Sequence, residues 1–366
     1  MIRLLLVFFL CLLIQYLGDE NRIFARSLSP DLKPGALVIM GVTDPPPLPE
    51  PLLRFIQTQH ISGVLLLGRH YRDPDKVKQV STQLNQLLEV VPQLSPLWIA
   101  VDQEGGRISQ IRSPSLKAPS LETLGEIGSI EYAFDVSMKL GRELKRLGVN
   151  LNFAPVLDVM GTTYSSVLDQ RQISTDPLMV SLMGKKIIQG FEAAGIASTA
   201  KHFPGHGETA LDSHHQLPIV YTTRTELDKR ALRPFYAAID AGVPFVMMSH
   251  LKYVDLDPIY SASLSSRHIQ SLLKSEMGFT GLVITDDLSM KSITTQYGLG
   301  RAAVLSLNAG VDVILTTDRL SKVRVMLEEI SLAIESGELD VMDLNQRLHN
   351  QAQLKRQYID HSYFDM

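Results

Sequence analysis

From residue 36 onward, short apolar runs alternate with longer stretches of mixed polarity. The runs occupy 36–41, 64–68, 97–102, 151–159, 196–202, 244–250, 282–287 and 311–317. None exceeds nine residues; each is rich in Leu or β-branched residues and bounded by Gly, Pro or Asp. That is the pattern of strands buried on both faces of a parallel sheet. Between the runs the period changes to helical. Over 130–147, Leu140, Leu144 and Leu147 share one face, Lys139, Arg142, Glu143, Lys145 and Arg146 fall on others, and Gly148 is placed to end the helix. Eight β-α alternations predict an α/β protein of the (β/α)8 TIM-barrel type. An open doubly wound sheet is the rival, but the first run leads into Asp44-Pro45-Pro46-Pro47, without a glycine fingerprint for a dinucleotide.

The N-terminus has a different character. Arg3 precedes an unbroken apolar run over 4–14, extended by Gln15, Tyr16 and Leu17 before Gly18-Asp19-Glu20. This is the pattern of an export leader, short for a spanning helix and without a clean small-x-small cleavage site. A cleaved signal peptide and an uncleaved signal anchor both stay open. The expected division is a leader over 1–26 and a single barrel domain over 27–366, exported to the periplasm, the medium or the outer face of a membrane. Only the leader is expected to touch a membrane.

Composition narrows the chemistry. The 35 Lys and Arg against 39 Asp and Glu give a formal net charge of −4, which offers nucleic acid no general attraction. The single cysteine, Cys11, lies in the leader, so the body has neither a disulfide nor a cysteine-based metal site. In a barrel of this kind the chemistry sits where the strands end. The third run ends in Asp102-Gln103-Glu104-Gly105-Gly106-Arg107, the fifth in Lys201-His202-Phe203-Pro204-Gly205-His206-Gly207, the sixth in Ser249-His250, and the seventh in Asp286-Asp287. One such Asp would ordinarily be a helix cap; several converging on one rim form a candidate site.

Residues 201–215 are the densest cluster, with His202, His206, His214 and His215 beside Lys201, Glu208 and Asp212. Three readings are open. The cluster could ligate zinc or iron, although its histidines share one Gly- and Pro-rich loop instead of separate strands. Asp212 and His214 could form a carboxylate–imidazole acid–base pair. The third reading is a loop of hydrogen-bonded histidines.

The motif 201–207 followed by Asp212-Ser213-His214, together with 102–107 and Thr285-Asp286-Asp287-Leu288-Ser289-Met290, resembles the bacterial β-N-acetylglucosaminidases of glycoside hydrolase family 3. The likeness extends over about residues 32–340 and includes 152–159 and Arg171. It implies an exo-acting retaining hydrolase of terminal β-linked N-acetylglucosamine that works on peptidoglycan fragments or related oligosaccharides. Its partner is then a small carbohydrate, with no cofactor and no metal. Asp286 matches the nucleophile, His214 the acid–base residue, and Asp212 the group that tunes it. Asp102, Arg171, Lys201 and His202 match positions that grip the sugar hydroxyls, the alternative for each being a buried ion pair or a cap. Strand alternation puts Asp286 and Asp287 on opposite faces, so Asp287 is expected to be structural. His206 is expected to shape its loop, and His250 lies at a strand end near the sugar. Where related enzymes commonly carry a basic residue three positions after Arg107, this chain has Gln110. A phosphorylase using the same residues with phosphate as acceptor, a metal-dependent barrel hydrolase, and an inactive sugar-binding module are the competing functions.

Overall fold

A computed structural model describes residues 32–90, 95–159, 168–206 and 217–359. The leader expected over 1–26 lies outside these residues, as do Asp212 and His214. Eight parallel strands form the centre: β1 (Val38–Val42), β2 (Gly63–Leu66), β3 (Trp98–Val101), β4 (Leu151–Asn152), β5 (Ala197–Phe203), β6 (Phe245–Met248), β7 (Leu282–Thr285) and β8 (Ile314–Thr316). All fall within the apolar runs or one residue beyond them. The fourth run yields the shortest strand. Pro155 has no amide hydrogen for the ladder, and beyond it only Val156 makes a bridge, to Lys201.

The strands are ordered β7-β6-β5-β4-β3-β2-β1-β8. Ile39 in β1 stands opposite both Gly63 of β2 and Leu315 of β8. The ring closes between β7 and β8 through a bridge from Ile284 to Val313, reinforced by the Thr285 amide donating to the Val313 carbonyl at 3.2 Å. Helices follow the strands, from Glu50–Thr58 after β1 to Leu320–Glu335 after β8. The helix expected over 130–147 runs from Ile130 to Arg146. Ser129 caps its start by accepting from the Tyr132 amide at 3.2 Å. It ends at Gly148, whose φ of +81° suits glycine, with the Val149 amide returning to the Leu144 carbonyl at 3.1 Å.

Strand alternation divides the apolar interior in two. Ile39, Leu65, Met247 and Ile284 point into the lumen, while their neighbours Val38, Val64, Val246 and Val283 point outward to the helices. The lumen is therefore packed, and its upper layer becomes the floor of whatever site lies above the strand ends.

The lower end of the lumen is closed by the last helix, Val341–Tyr358. Tyr358 and Ile359 join the luminal cluster, with the Tyr358 ring 6.5 Å from that of Trp98. Polar contacts dock the helix against the strand beginnings. Gln351 accepts from the Ser62 hydroxyl, and Lys145 Nζ donates to the Tyr358 carbonyl at 2.5 Å. Lys355 is 1% exposed, and its ammonium donates to the Ser62 carbonyl at 3.0 Å and the Ser95 hydroxyl at 3.4 Å. No carboxylate among the described residues pairs with it, and burial pulls its pKa down to about 7.

A lysine whose folded pKa is depressed binds more protons unfolded than folded, so stability rises with pH between about 7 and the unfolded value. Lys355→Met should raise the melting temperature at pH 7 by about 2–4 °C per kcal/mol recovered and flatten that rise. The Ser62 carbonyl keeps the Trp98 amide as donor at 3.0 Å in the variant. Melting curves from pH 7 to 10 check this; an unchanged or lower melting temperature at pH 7 would contradict it.

Candidate active site

Above the strand ends lies a cavity of about 650 Å3. Leu65, Phe153, Met247 and Leu315 form its apolar floor. Asp102, Glu104, Arg171, Lys201, His202 and Asp286 bring charge and hydrogen-bonding groups to its walls. The five candidate residues among the described positions, Asp102, Arg171, Lys201, His202 and Asp286, thus meet in one place.

Lys201 and His202 are consecutive, and ideal alternation would turn one of them away. Between β5 and β6, however, the register steps from Lys201 opposite Met247 to Phe203 opposite Met248. The extra residue is a bulge, so both side chains line the cavity and Phe203 returns to the outer layer.

Glu104 reaches the cavity on a short ribbon, Gln103–Gly105 paired with Ile108–Ser109. The turn between them needs glycine. Gly105 and Gly106 have φ of +99° and +55°, and a Cβ on Gly105 would stand 2.2 Å from the Pro119 carbonyl oxygen. Gln103 anchors the ribbon: its amide donates to Asn152 Oδ1 at 3.0 Å, and Asn152 Nδ2 donates back to its carbonyl at 3.0 Å. Gln110 donates Nε2–H to the Gly68 carbonyl at 2.7 Å, tying the loop after β3 to the loop after β2.

The charged side chains form one cluster. Arg171 grips Glu104 with two prongs, Nε to Oε2 at 2.8 Å and Nη2 to Oε1 at 2.7 Å. Lys201 Nζ lies 2.7 Å from Glu104 Oε1 and 2.9 Å from Asp102 Oδ1. Burial alone would raise the Glu104 carboxyl, but Lys201 and Arg171 outweigh it and hold it at about 2. Burial would likewise lower Lys201, and Asp102 and Glu104 reverse that, so its pKa is raised. The ion-pair alternative for Arg171 and Lys201 is therefore present, in the same side chains that line the cavity.

Asp286 follows β7, with its amide donating to the Met248 carbonyl at 2.9 Å. Alternation carries it to the same side as the luminal Ile284. Burial raises its carboxyl, but the His202 and His250 imidazoles, the Asp287 amide and Lys201 bring it down to about 2. It is an ionised carboxylate on the cavity wall. Asp287 has four donors: the amides of Ser289 at 2.9 Å and Thr317 at 3.0 Å, the Ser289 hydroxyl at 2.7 Å, and the Thr317 hydroxyl. It joins the end of β7 to the end of β8.

The remaining histidines separate. His250 is buried with both ring nitrogens engaged, Nδ1 at 2.8 Å from the Ser263 hydroxyl and Nε2 at 3.0 Å from the Asp287 carbonyl. A carbonyl oxygen can only accept, so Nε2 carries the hydrogen and the ring props the Asp286-Asp287 turn from behind. His206 fixes its loop through its amide, which donates to Asp158 Oδ1 at 2.6 Å, and its ring also borders the cavity. The acid–base candidates His214 and Asp212 lie outside the described residues. Among the described residues, no group of three or more His, Cys, Asp and Glu side chains is arranged to hold a metal ion.

Two functional carboxylates were not singled out from the sequence. Glu104 centres the ion cluster, and Asp158 lies 2.8 Å from His202 Nδ1 with no solvent exposure. A signal for Asp158 existed: it is the one charged residue in the apolar run 151–159, and an acid so placed needs a buried partner.

The family described as glycosyl hydrolase family 3 N terminal domain matches residues 48–353. The chain is 32% identical over 310 residues to a β-hexosaminidase of Nitrosomonas eutropha, covering 82% of this chain and 87% of that one. It is 30% identical over 314 residues to a β-hexosaminidase of Bordetella avium, covering 84% and 87%. A family 3 β-N-acetylglucosaminidase from a Paenibacillus species has a similar solved structure, with a TM-score of 0.86 at 32% identity. That match covers 92% of this chain and 67% of the Paenibacillus chain.

Glu104→Gln leaves Arg171 and Lys201 facing a neutral amide in a buried site. It should cost about 3–5 kcal/mol of stability at pH 7, read as a lower urea midpoint. A carboxyl depressed from its ordinary 4.5 to about 2 stabilises fully above the higher value, and that contribution is lost as pH falls through the lower. The variant should therefore show a shallower stability loss than the wild type between these limits. Parallel acid profiles would remove Glu104 from its central place.

Proposed function

The chain belongs to glycosyl hydrolase family 3 and is a glycoside hydrolase, and we propose that it releases terminal β-linked N-acetylglucosamine by a retaining, two-step route. One observation carries the reading: the ionised Asp286 stands in the wall of a cavity whose floor is closed by luminal side chains. A cavity with a closed floor suits a chain end better than a chain interior, which favours exo action.

In the first step, Asp286 attacks the anomeric carbon as the glycosidic C–O bond breaks and the leaving oxygen takes a proton. A glycosyl ester forms. In the second step, the oxygen of water attacks the same carbon, its proton passes to the acid–base group, and Asp286 leaves as a carboxylate. His214, tuned by Asp212, is the acid–base group in this reading, on the strength of the 201–214 motif. An imidazole suits both tasks near neutral pH. Asp102, Arg171, Lys201 and His202 bind the sugar, and the ion cluster keeps their positions fixed while the hydroxyls donate and accept hydrogen bonds with them. Peptidoglycan fragments are the natural substrate we infer. The leader over 1–26 supports action outside the cytoplasm, at the periplasm or the outer face of a membrane.

Asp286→Asn should lower kcat on an aryl β-N-acetylglucosaminide by about 1000-fold or more with the fold intact by circular dichroism. Asp287→Asn should show its effect first in the melting temperature. An inactive, stable Asp287 variant beside a near-normal Asp286 variant would reverse the assignment.

His214→Ala should lose far more activity on a disaccharide than on an activated aryl glycoside, because an activated phenol departs with little protonation. Equal losses, with the fold intact by circular dichroism, would take His214 out of the mechanism. Free sugar as product in phosphate buffer supports hydrolysis, and sugar 1-phosphate would establish the phosphorylase. Activity lost on chelation and restored by zinc would establish the metal hydrolase.

A further inference from the structure

Asp158 follows β4, takes no part in the cavity wall, and is fully buried. Its two oxygens serve three donors. Oδ1 accepts the His206 amide at 2.6 Å and the His202 amide at 3.2 Å, and Oδ2 lies 2.8 Å from His202 Nδ1. Burial raises this carboxyl, yet the His202 and His206 imidazoles and the His206 amide keep it below its ordinary value, so it is ionised and can only accept. The hydrogen between the two side chains therefore belongs to His202 Nδ1. The ring's other nitrogen has no hydrogen-bond partner among the described residues, and His202 lines the cavity. In a neutral imidazole with Nδ1–H, Nε2 is a bare lone pair.

We propose that Asp158 is a positioning residue that locks His202 in the Nδ1–H tautomer, so that Nε2 offers the cavity an acceptor for one hydroxyl of the terminal sugar. The inference rests on the proposed glycosidase activity for its ligand, but not for the tautomer itself. The surrounding groups make an acceptor here distinctive. Lys201 and Arg171 are donors already engaged by Asp102 and Glu104, and Asp286 is needed at the anomeric carbon. A neutral acceptor reads a hydroxyl without adding another negative charge beside the nucleophile.

Asp158→Asn is the informative change. The Asn Oδ1 still accepts both backbone amides, while its Nδ2–H2 donates to His202 Nδ1 and drives the ring hydrogen to Nε2. Nitrogen-15 NMR of the imidazole, carried up in pH until the His202 ring holds a single proton, should find that proton on Nδ1 in the wild type and on Nε2 in the variant. With 4-nitrophenyl β-N-acetylglucosaminide the variant should raise KM by about tenfold, with kcat within about threefold. The 3-, 4- and 6-deoxy analogues locate the hydroxyl. The analogue that loses binding in the wild type should lose nothing further in the variant, as coupled changes at one contact do. Equal additional losses on all analogues, or wild-type His202 protonated on Nε2, would overturn the proposal. The NMR measurement needs no turnover, so it decides the tautomer even if the variant folds poorly. Absence of wild-type turnover on the parent glycoside would count against the proposed function instead.

Discussion

Glu104 carries one negative charge into a site where two cations converge, and the cavity is built around that imbalance. Arg171 comes from the loop after β4 and Lys201 from the end of β5; the Glu104 carboxylate is where they are brought together, and Asp102, from the end of β3, joins through Lys201. Each would be costly to bury alone. Together they fix the relative placement of three strand ends, and Asp102 supplies the second carboxylate that balances the pair of cations. The Gly105-Gly106 turn and the Gln103–Asn152 amide clamp exist in service of this arrangement, since they deliver Glu104 to the one spot where both cations reach it.

Around that cluster, the barrel works by strand parity. Inward positions fill the lumen below and furnish the cavity above, so Ile284 and Asp286 are successive members of one series. The bulge at His202 is the local breach of parity that puts two adjacent polar residues on the same wall. A regular β5 would have lost one of them to the helical layer.

Much of this was legible in the sequence because parallel strands buried on both faces have no polar positions to confuse the pattern. The eight runs and the helix over 130–147 follow from hydrophobic spacing, whereas parity separates Asp286 from Asp287 and both nonetheless border the cavity. What could not be read are pairings between distant positions. Glu104 and Asp158 stood inside recognised motifs, but their partners lie 67 and 44 residues away, and only folding makes them neighbours. His250 stands at a strand end that the resemblance places near the sugar, and what the sequence does not show is that its ring is engaged on both sides by Ser263 and Asp287. The docking of the last helix was equally hidden, because it depends on one buried Lys and one Gln meeting Ser62.

That docking has a consequence for the order in which the molecule can be completed. Ser62, at the start of β2, finds Gln351 and Lys355 across 289 and 293 positions of chain. Until those partners arrive, Trp98 and the lower luminal side chains face water through an open end. Contacts spanning so much sequence demand loop closure before they return any stabilisation, which puts them among the slow events of folding. Growing from its first strand, the barrel is a sheet with an open edge until β8 meets β1 and β7, and it gains a dry interior only when the last helix then covers the lower end.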